Sequence, residues 1–180
     1  MTIWTYETLA GASRAQLEQV LRDGASPDPE QMVGYGYEGW NDGLLAYLSG
    51  KKFKKVFIRR DGTILGYNEK IQQTGGEPVG KWVVVMKNGE PVLQGYFDII
   101  PTNETSSPRQ LVQRYADKIL FNYNTPINGG LEGVVYKLIR DFVALPNPDD
   151  HSLILGKAYL RIFGINIFWS YFVLGNRQAN

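Results

Sequence analysis

A chain of 180 residues with 43% hydrophobic and 21% charged residues can bury a sizeable core, and it lies far from the low-hydrophobicity, high-charge composition of disordered segments. Its formal net charge of +1 supplies no global field to draw it to nucleic acid or to an anionic membrane surface. The lack of cysteine excludes disulfides, a thiolate nucleophile, iron–sulfur clusters and cysteine-containing zinc sites, and a single histidine excludes multi-histidine metal centres.

Met1 to Leu21 carries Glu7, Arg14 and Glu18, with no apolar run behind a basic head; no secretory signal is expected, and a cytoplasmic location follows. Ser13 to Arg22 is expected to form a short helix, because Ser13 and Gln16 have capping-box spacing, Leu17, Val20 and Leu21 form an apolar stripe, and Gly24 is placed to end it. Pro27 and Pro29 break any continuation. One domain is expected over residues 1–180, with a helical leader and loop over 1–30 and an antiparallel barrel over 31–175. Leu44 to Leu48 is expected to add a helical turn.

From Phe53 onward the signals are those of hairpins. Asp61-Gly62 and Asn88-Gly89 each lie between strand-like runs and accept the positive φ angles of two-residue hairpin turns. Pro108 to Tyr115 is expected to form a short helix, Ile119 to Tyr123 a strand, and Val134 to Leu145 and Ser152 to Arg161 two further strands around a polar turn at residues 146–150. The last strand is Ile165 to Leu174. The apolar stretch that contains it, Ile162 to Leu174, is interrupted by Gly164, Asn166 and Ser170 and is shorter than the roughly 20 residues of a spanning helix. Short connections without long intervening helices predict a mainly β fold, an antiparallel meander that closes on itself as a β-barrel, with a short N-terminal helix.

Pro29 to Gly34 running into Tyr37, Glu38 and Gly39, then Leu44-Leu45 and Gly50 to Phe53, resemble an uncharacterised bacterial family in which a Gly-x-Trp-x-Gly motif precedes a lipocalin-like part. Asp149-Asp150 before Leu153 to Lys157, and the closing Tyr171 to Leu174, resemble that family's C-terminal end. Tyr37 stands where the tryptophan would, and Tyr35 where the first glycine would. The resemblance implies a lipocalin-like (calycin-type) antiparallel β-barrel around an apolar cavity and no established reaction.

Other motifs are weighed by context. Gly34 to Gly39 satisfies the dinucleotide fingerprint, but it follows a proline-broken loop and no helix start comes after it, so a bent strand is expected and no cofactor. Lys51, Lys52, Lys54, Lys55, Arg59 and Arg60 read as a charged edge strand that discourages aggregation. No stacking-aromatic signature of RNA binding accompanies them, so no nucleic-acid partner is expected. His151 lies beside Asp149, Asp150 and Ser152, neighbours too close in sequence to converge as a triad, and reads as a turn residue.

The aromatic content, with 4 Trp, 11 Tyr and 8 Phe, suits a barrel cavity, since tyrosine and tryptophan pair an apolar face with a polar tip. The expected partner is a small apolar or amphipathic molecule. Tyr37, Trp40, Tyr96, Tyr123, Tyr159 and Trp169 are the candidate lining residues, and Lys157 is the candidate anchor for an anionic end. Gly156, Ala158 and Leu160 leave room on one strand face, with Lys157, Tyr159 and Arg161 on the other; Trp169 and Tyr171 are expected to share a face. The alternatives are a cofactor-free cyclase or isomerase using Tyr37, Asp98 and Lys157 as acid or base, and a protein-interaction module. No metal is expected.

Overall fold

The computed structural model describes residues 3–42, 50–74, 76–104 and 109–180. The helical turn expected at Leu44 to Leu48 lies outside them. Two helices come first, α1 (Tyr6–Ala10) and α2 (Arg14–Asp23), each opened by a capping box at Thr5 and Ser13. Eight strands then form a closed antiparallel barrel: β1 (Tyr35–Asp42), β2 (Lys52–Arg60), β3 (Thr63–Lys70), β6 (Leu93–Pro101), β7 (Ile119–Asn122), β8 (Ile139–Ala144), β9 (Ile154–Ile162) and β10 (Ile165–Ala179). Each pairs with the next in this order, and β10 returns to β1, so no edge remains. The antiparallel barrel that the hairpin signals predict is therefore the fold found, and it is consistent with a lipocalin-like barrel with a short helix.

Local chemistry explains the turns. Asp61 and Gly62 join β2 to β3 with φ of 51° and 79°, and Asn88 and Gly89 join the short β4 (Met86–Lys87) and β5 (Glu90–Pro91) with φ of 54° and 84°. The second hairpin is smaller than expected and stands outside the barrel. The segment leading to it folds back on the wall, where the Trp82 indole donates to the Gly39 carbonyl at 3.3 Å. A short helix α3 (Arg109–Arg114) precedes β7. Val134 to Leu145 is not one strand: Gly130–Tyr136 is helix α4, and β8 begins only at Ile139. Gly130, at φ of 69°, permits the entry into that helix, although the β-branched Val134 and Val135 favour strand by propensity alone.

The strand alternation sorts side chains into two cores. Inside the barrel, Phe57, Phe97 and Phe121 pack ring against ring, with Phe97 and Phe121 stacked at 4.9 Å. Three inward rings lie over glycines directly opposite on the neighbouring strand: Phe53 over Gly39, Phe97 over Gly66 and Phe172 over Gly156. A Cβ on Gly156 would stand 2.0 Å from the Phe172 ring, so the room that Gly156 leaves is already taken. Met32, fully buried after the 3-10 turn Pro29–Gln31, plugs the end of the barrel where β1 starts. Outside, Leu9, Leu17 and Leu21 of α1 and α2 cover Phe142, Leu155 and Val173. Each such leucine contributes about 1.5–3 kcal/mol through burial.

Basic strand β2 is not an edge. It pairs with β1 and β3 along its length, and two of its lysines, Lys52 and Lys55, are buried. Among the described residues no helix is long and apolar enough to cross a membrane.

Candidate ligand cavity at the open end of the barrel

Opposite the Met32 plug the interior opens into a cavity of about 390 Å³, within the range of small-molecule sites. Its wall includes Phe53, Phe172, Trp169, Leu160 and Ile139 from the strands and Val135 and Tyr136 from α4. Polar groups converge on its floor: Lys55 from β2, Asn68 from β3, Tyr123 just past β7 and Asp141 from β8. The pattern Phe53, Lys55, Phe57 places all three on the inward face, so a lysine sits where the period demands an apolar residue.

The Lys55 ammonium donates to Asn68 Oδ1 at 3.1 Å, to Asp141 Oδ2 at 3.2 Å and to the Tyr123 hydroxyl. These use its three protons. Five rings surround it, the closest being Phe97 at 4.8 Å and Tyr123 at 5.1 Å from centroid. The Asn68 amide also donates to the Tyr123 hydroxyl at 3.0 Å. Burial pulls the Lys55 ammonium below its ordinary range, with Asp141 pulling it back up. Burial likewise pushes the Asp141 carboxyl and the Tyr123 hydroxyl up. One oxygen, Asp141 Oδ1, is sealed in the interior without a hydrogen-bond partner. Chemically this is a proton-rich cluster at the base of an aromatic pocket, able to orient a polar tip or to hold a proton near an apolar guest.

The expected site residues divide between the two faces of the wall. Tyr123 and Trp169 border the cavity, and Tyr159 borders it while packing with the outer core. Tyr37 points inward but at the plugged end, where its hydroxyl donates to the His151 carbonyl at 2.9 Å. His151 there accepts from the Asp28 amide at 2.9 Å through Nε2, tying the plug to the 146–152 turn. Trp40 belongs to the outer core under Lys51. Tyr96 is half-buried and packs on Tyr67, its outward partner across β3 and β6. Asp98 sits outside the cavity; burial raises its carboxyl against a hydrogen bond with Thr125.

Lys157 corrects the sequence reading most clearly. It lies on the outer face, donating to Glu18 Oε2 at 2.7 Å and to the Tyr115 hydroxyl at 3.2 Å. Tyr171 joins it, donating to Glu18 at 2.6 Å. This cluster fastens α2 to the barrel. Trp169 and Tyr171 do not share a face, because a bulge between Phe168 and Ser170 shifts the register and turns Trp169 to the cavity.

Lys55 and Asp141 were missed. Lys55 hid in a run of basic residues that suggested an edge, and Asp141 in a run of apolar ones. The signal available was the strict alternation of Phe53, Lys55 and Phe57.

Among the described residues no group of three or more histidine, cysteine, aspartate or glutamate side chains is arranged to hold a metal ion. No protein-family model matches this chain, and no curated protein and no solved structure matches it either.

Proposed function

We propose that this barrel binds a small, largely apolar molecule at its open end, with the guest's body against Phe53, Phe172, Trp169 and Tyr136 and its polar tip at the Lys55–Asp141–Tyr123 cluster. The observation that carries this reading is the coincidence of an aromatic-walled cavity of about 390 Å³ with a buried polar cluster at its floor. A filled barrel needs no such cluster, since replacing a buried ion pair by apolar side chains is often neutral or stabilising. The resemblance to the Gly-x-Trp-x-Gly family and the cytoplasmic location expected from the N-terminal charge pattern belong to the same proposal.

A second reading, a cofactor-free cyclase or isomerase, is favoured by the same cluster, because burial shifts three titratable groups at once inside an apolar pocket. In that reading Asp141 takes the role of base and Tyr123 that of acid, in place of Tyr37, Asp98 and Lys157.

Fluorescence titration with the neutral probe phenylnaphthylamine tests binding. Saturable enhancement is expected, and Ala158→Phe, which fills the cavity from β9, should abolish it while leaving the thermal transition cooperative. A folded wild-type protein that gives no enhancement would sink the proposal.

A further inference from the structure

Exposed apolar side chains are segregated in this molecule. Among the described residues every exposed large hydrophobic, Ile3 excepted, lies in a connection at the open end of the barrel or in the strand residues next to one. Leu131, Val134 and Val135 of α4 stand beside Phe163, Ile165 and Ile167 of the β9–β10 hairpin, because the Arg161 amide donates to the Leu138 carbonyl at 2.8 Å and ties the end of α4 to β9. Leu131 and Phe163 are 91% and 101% exposed, so no described residue covers them. Phe163 is also held at φ of 49°, a costly conformation for a bulky residue and one that folds retain where function needs it.

Cations flank this apolar rim. Across residues 130–140 and 159–168, Lys137, Arg140 and Arg161 are basic and Glu132 is the sole acidic residue. Arg140 pairs with Tyr159 across the strands, and Arg161 lies two residues further along the same outer face. Burial, with Arg161 alongside, pulls the Arg140 guanidinium down to about 10. An anion beside Arg161 offsets that repulsion.

We propose that the open end of the barrel docks on an anionic phospholipid surface, with Leu131, Val134, Phe163 and Ile165 among the acyl chains and Lys137 and Arg161 at the phosphates. Val135 is a wall residue of the cavity and is itself 58% exposed, so the cavity mouth opens within the inserted rim. An apolar guest entering from lipid then crosses no water. The docking uses the position of the cavity and not its occupancy. A second copy of the chain fits this face less well, since a two-fold contact would set an excess of cations against itself. A folded protein partner needs one complementary surface, whereas these side chains stand on two projections that a fluid lipid surface accepts one by one.

Cosedimentation with vesicles tests the docking. Vesicles of equal parts phosphatidylcholine and phosphatidylglycerol are expected to take up the protein, and pure phosphatidylcholine at least about fivefold less, because each cation near an anionic surface adds to the attraction. Leu131→Gln with Phe163→Asn should lower partitioning about tenfold while the thermal transition stays cooperative, as neither side chain is covered. Lys137→Gln should lower it on the mixed vesicles alone. Ile3→Gln removes an apolar side chain of similar exposure, 81%, next to Trp4, whose amide is bonded to Asn147 at the plugged end, and should change nothing. No uptake by either vesicle overturns the proposal and leaves the rim to a protein partner. Equal uptake by both vesicles, or a loss in Ile3→Gln as large as in the rim variant, overturns it as well. Phenylnaphthylamine titration without vesicles keeps the two readings apart: uptake without dye binding upholds docking and removes the cavity reading, and dye binding without uptake does the reverse.

Discussion

The Lys55 ammonium and the Asp141 carboxylate meet 3.2 Å apart inside a β-barrel, on strands that are not neighbours in the sheet, with both side chains at most 4% exposed. Desolvating two charges is costly, and their attraction offsets that cost only when the remaining protons and lone pairs find partners. Here the ammonium is fully satisfied and the carboxylate only half so.

That asymmetry predicts how the pair responds to mutation. Lys55→Met leaves Asp141 as an uncompensated buried charge and should destabilise the fold by about 3–5 kcal/mol. Adding Asp141→Leu should recover most of the loss, because the pocket floor is then apolar and filled. Urea denaturation of the two variants and the wild type checks this. A double variant no more stable than the single one would show that the two charges do not act as a pair.

The barrel was legible in the sequence because its signals are local: the Asp61-Gly62 turn and the alternating strands, with a capped helix at Ser13 ahead of them. The site was not, because it depends on which face of each strand turns inward, and one residue of slip exchanges the faces. The bulge near Trp169 does this within β10, so that Trp169 and Tyr171, two positions apart, end up on opposite sides of the wall. Lys157 was placed on the correct strand, and the grouping of Lys157, Tyr159 and Arg161 against Gly156, Ala158 and Leu160 was correct. What sequence could not supply was α2, whose Glu18 claims Lys157 for the outer surface.

Glu18 gives the fold an acid-sensitive fastening. Burial alone would raise its carboxyl, but hydrogen bonds from Lys157, Tyr171 and Tyr115 outweigh it and bring the carboxyl below its ordinary range. A carboxyl depressed in the folded state adds stability that is present above the unfolded value of about 4.3 and is lost as pH falls through the folded one. Thermal transitions followed from neutral pH into acid should therefore drop below about pH 4.3 in the wild type. Glu18→Gln should lower stability at neutral pH by about 1–3 kcal/mol, through its weakened bonds to charged Lys157, and flatten the acid limb. An unchanged acid limb in Glu18→Gln would assign the acid response to other carboxyls.

Phe163 opens the turn between β9 and β10 with φ of 49°, ahead of Gly164 at 80°, and its ring is fully exposed. A bulky residue in the left-handed region costs about 1–3 kcal/mol, and an exposed ring returns nothing to folding. Phe163→Asn, which suits both central positions of such a turn, should stabilise the protein by about 1 kcal/mol. A lower melting temperature would show that the ring contributes to folding after all.

Gly156 and Phe172 connect packing to binding. The Phe172 ring lies over Gly156 on the barrel's inner face and also forms part of the cavity wall. A methyl group at position 156 would stand 2.0 Å from Phe172 Cζ, so the ring must swing away, and the open direction is toward the cavity. Gly156→Ala should cost about 1–3 kcal/mol through overpacking, and it should weaken phenylnaphthylamine by constricting the pocket. Combining it with Phe172→Leu removes the clash and should restore both stability and dye binding relative to Gly156→Ala alone. If the single variant loses stability but binds dye as tightly as the wild type, the ring has moved elsewhere and Phe172 does not limit the pocket. The coupling between the two positions, measured as a double-mutant cycle in both readouts, separates these outcomes.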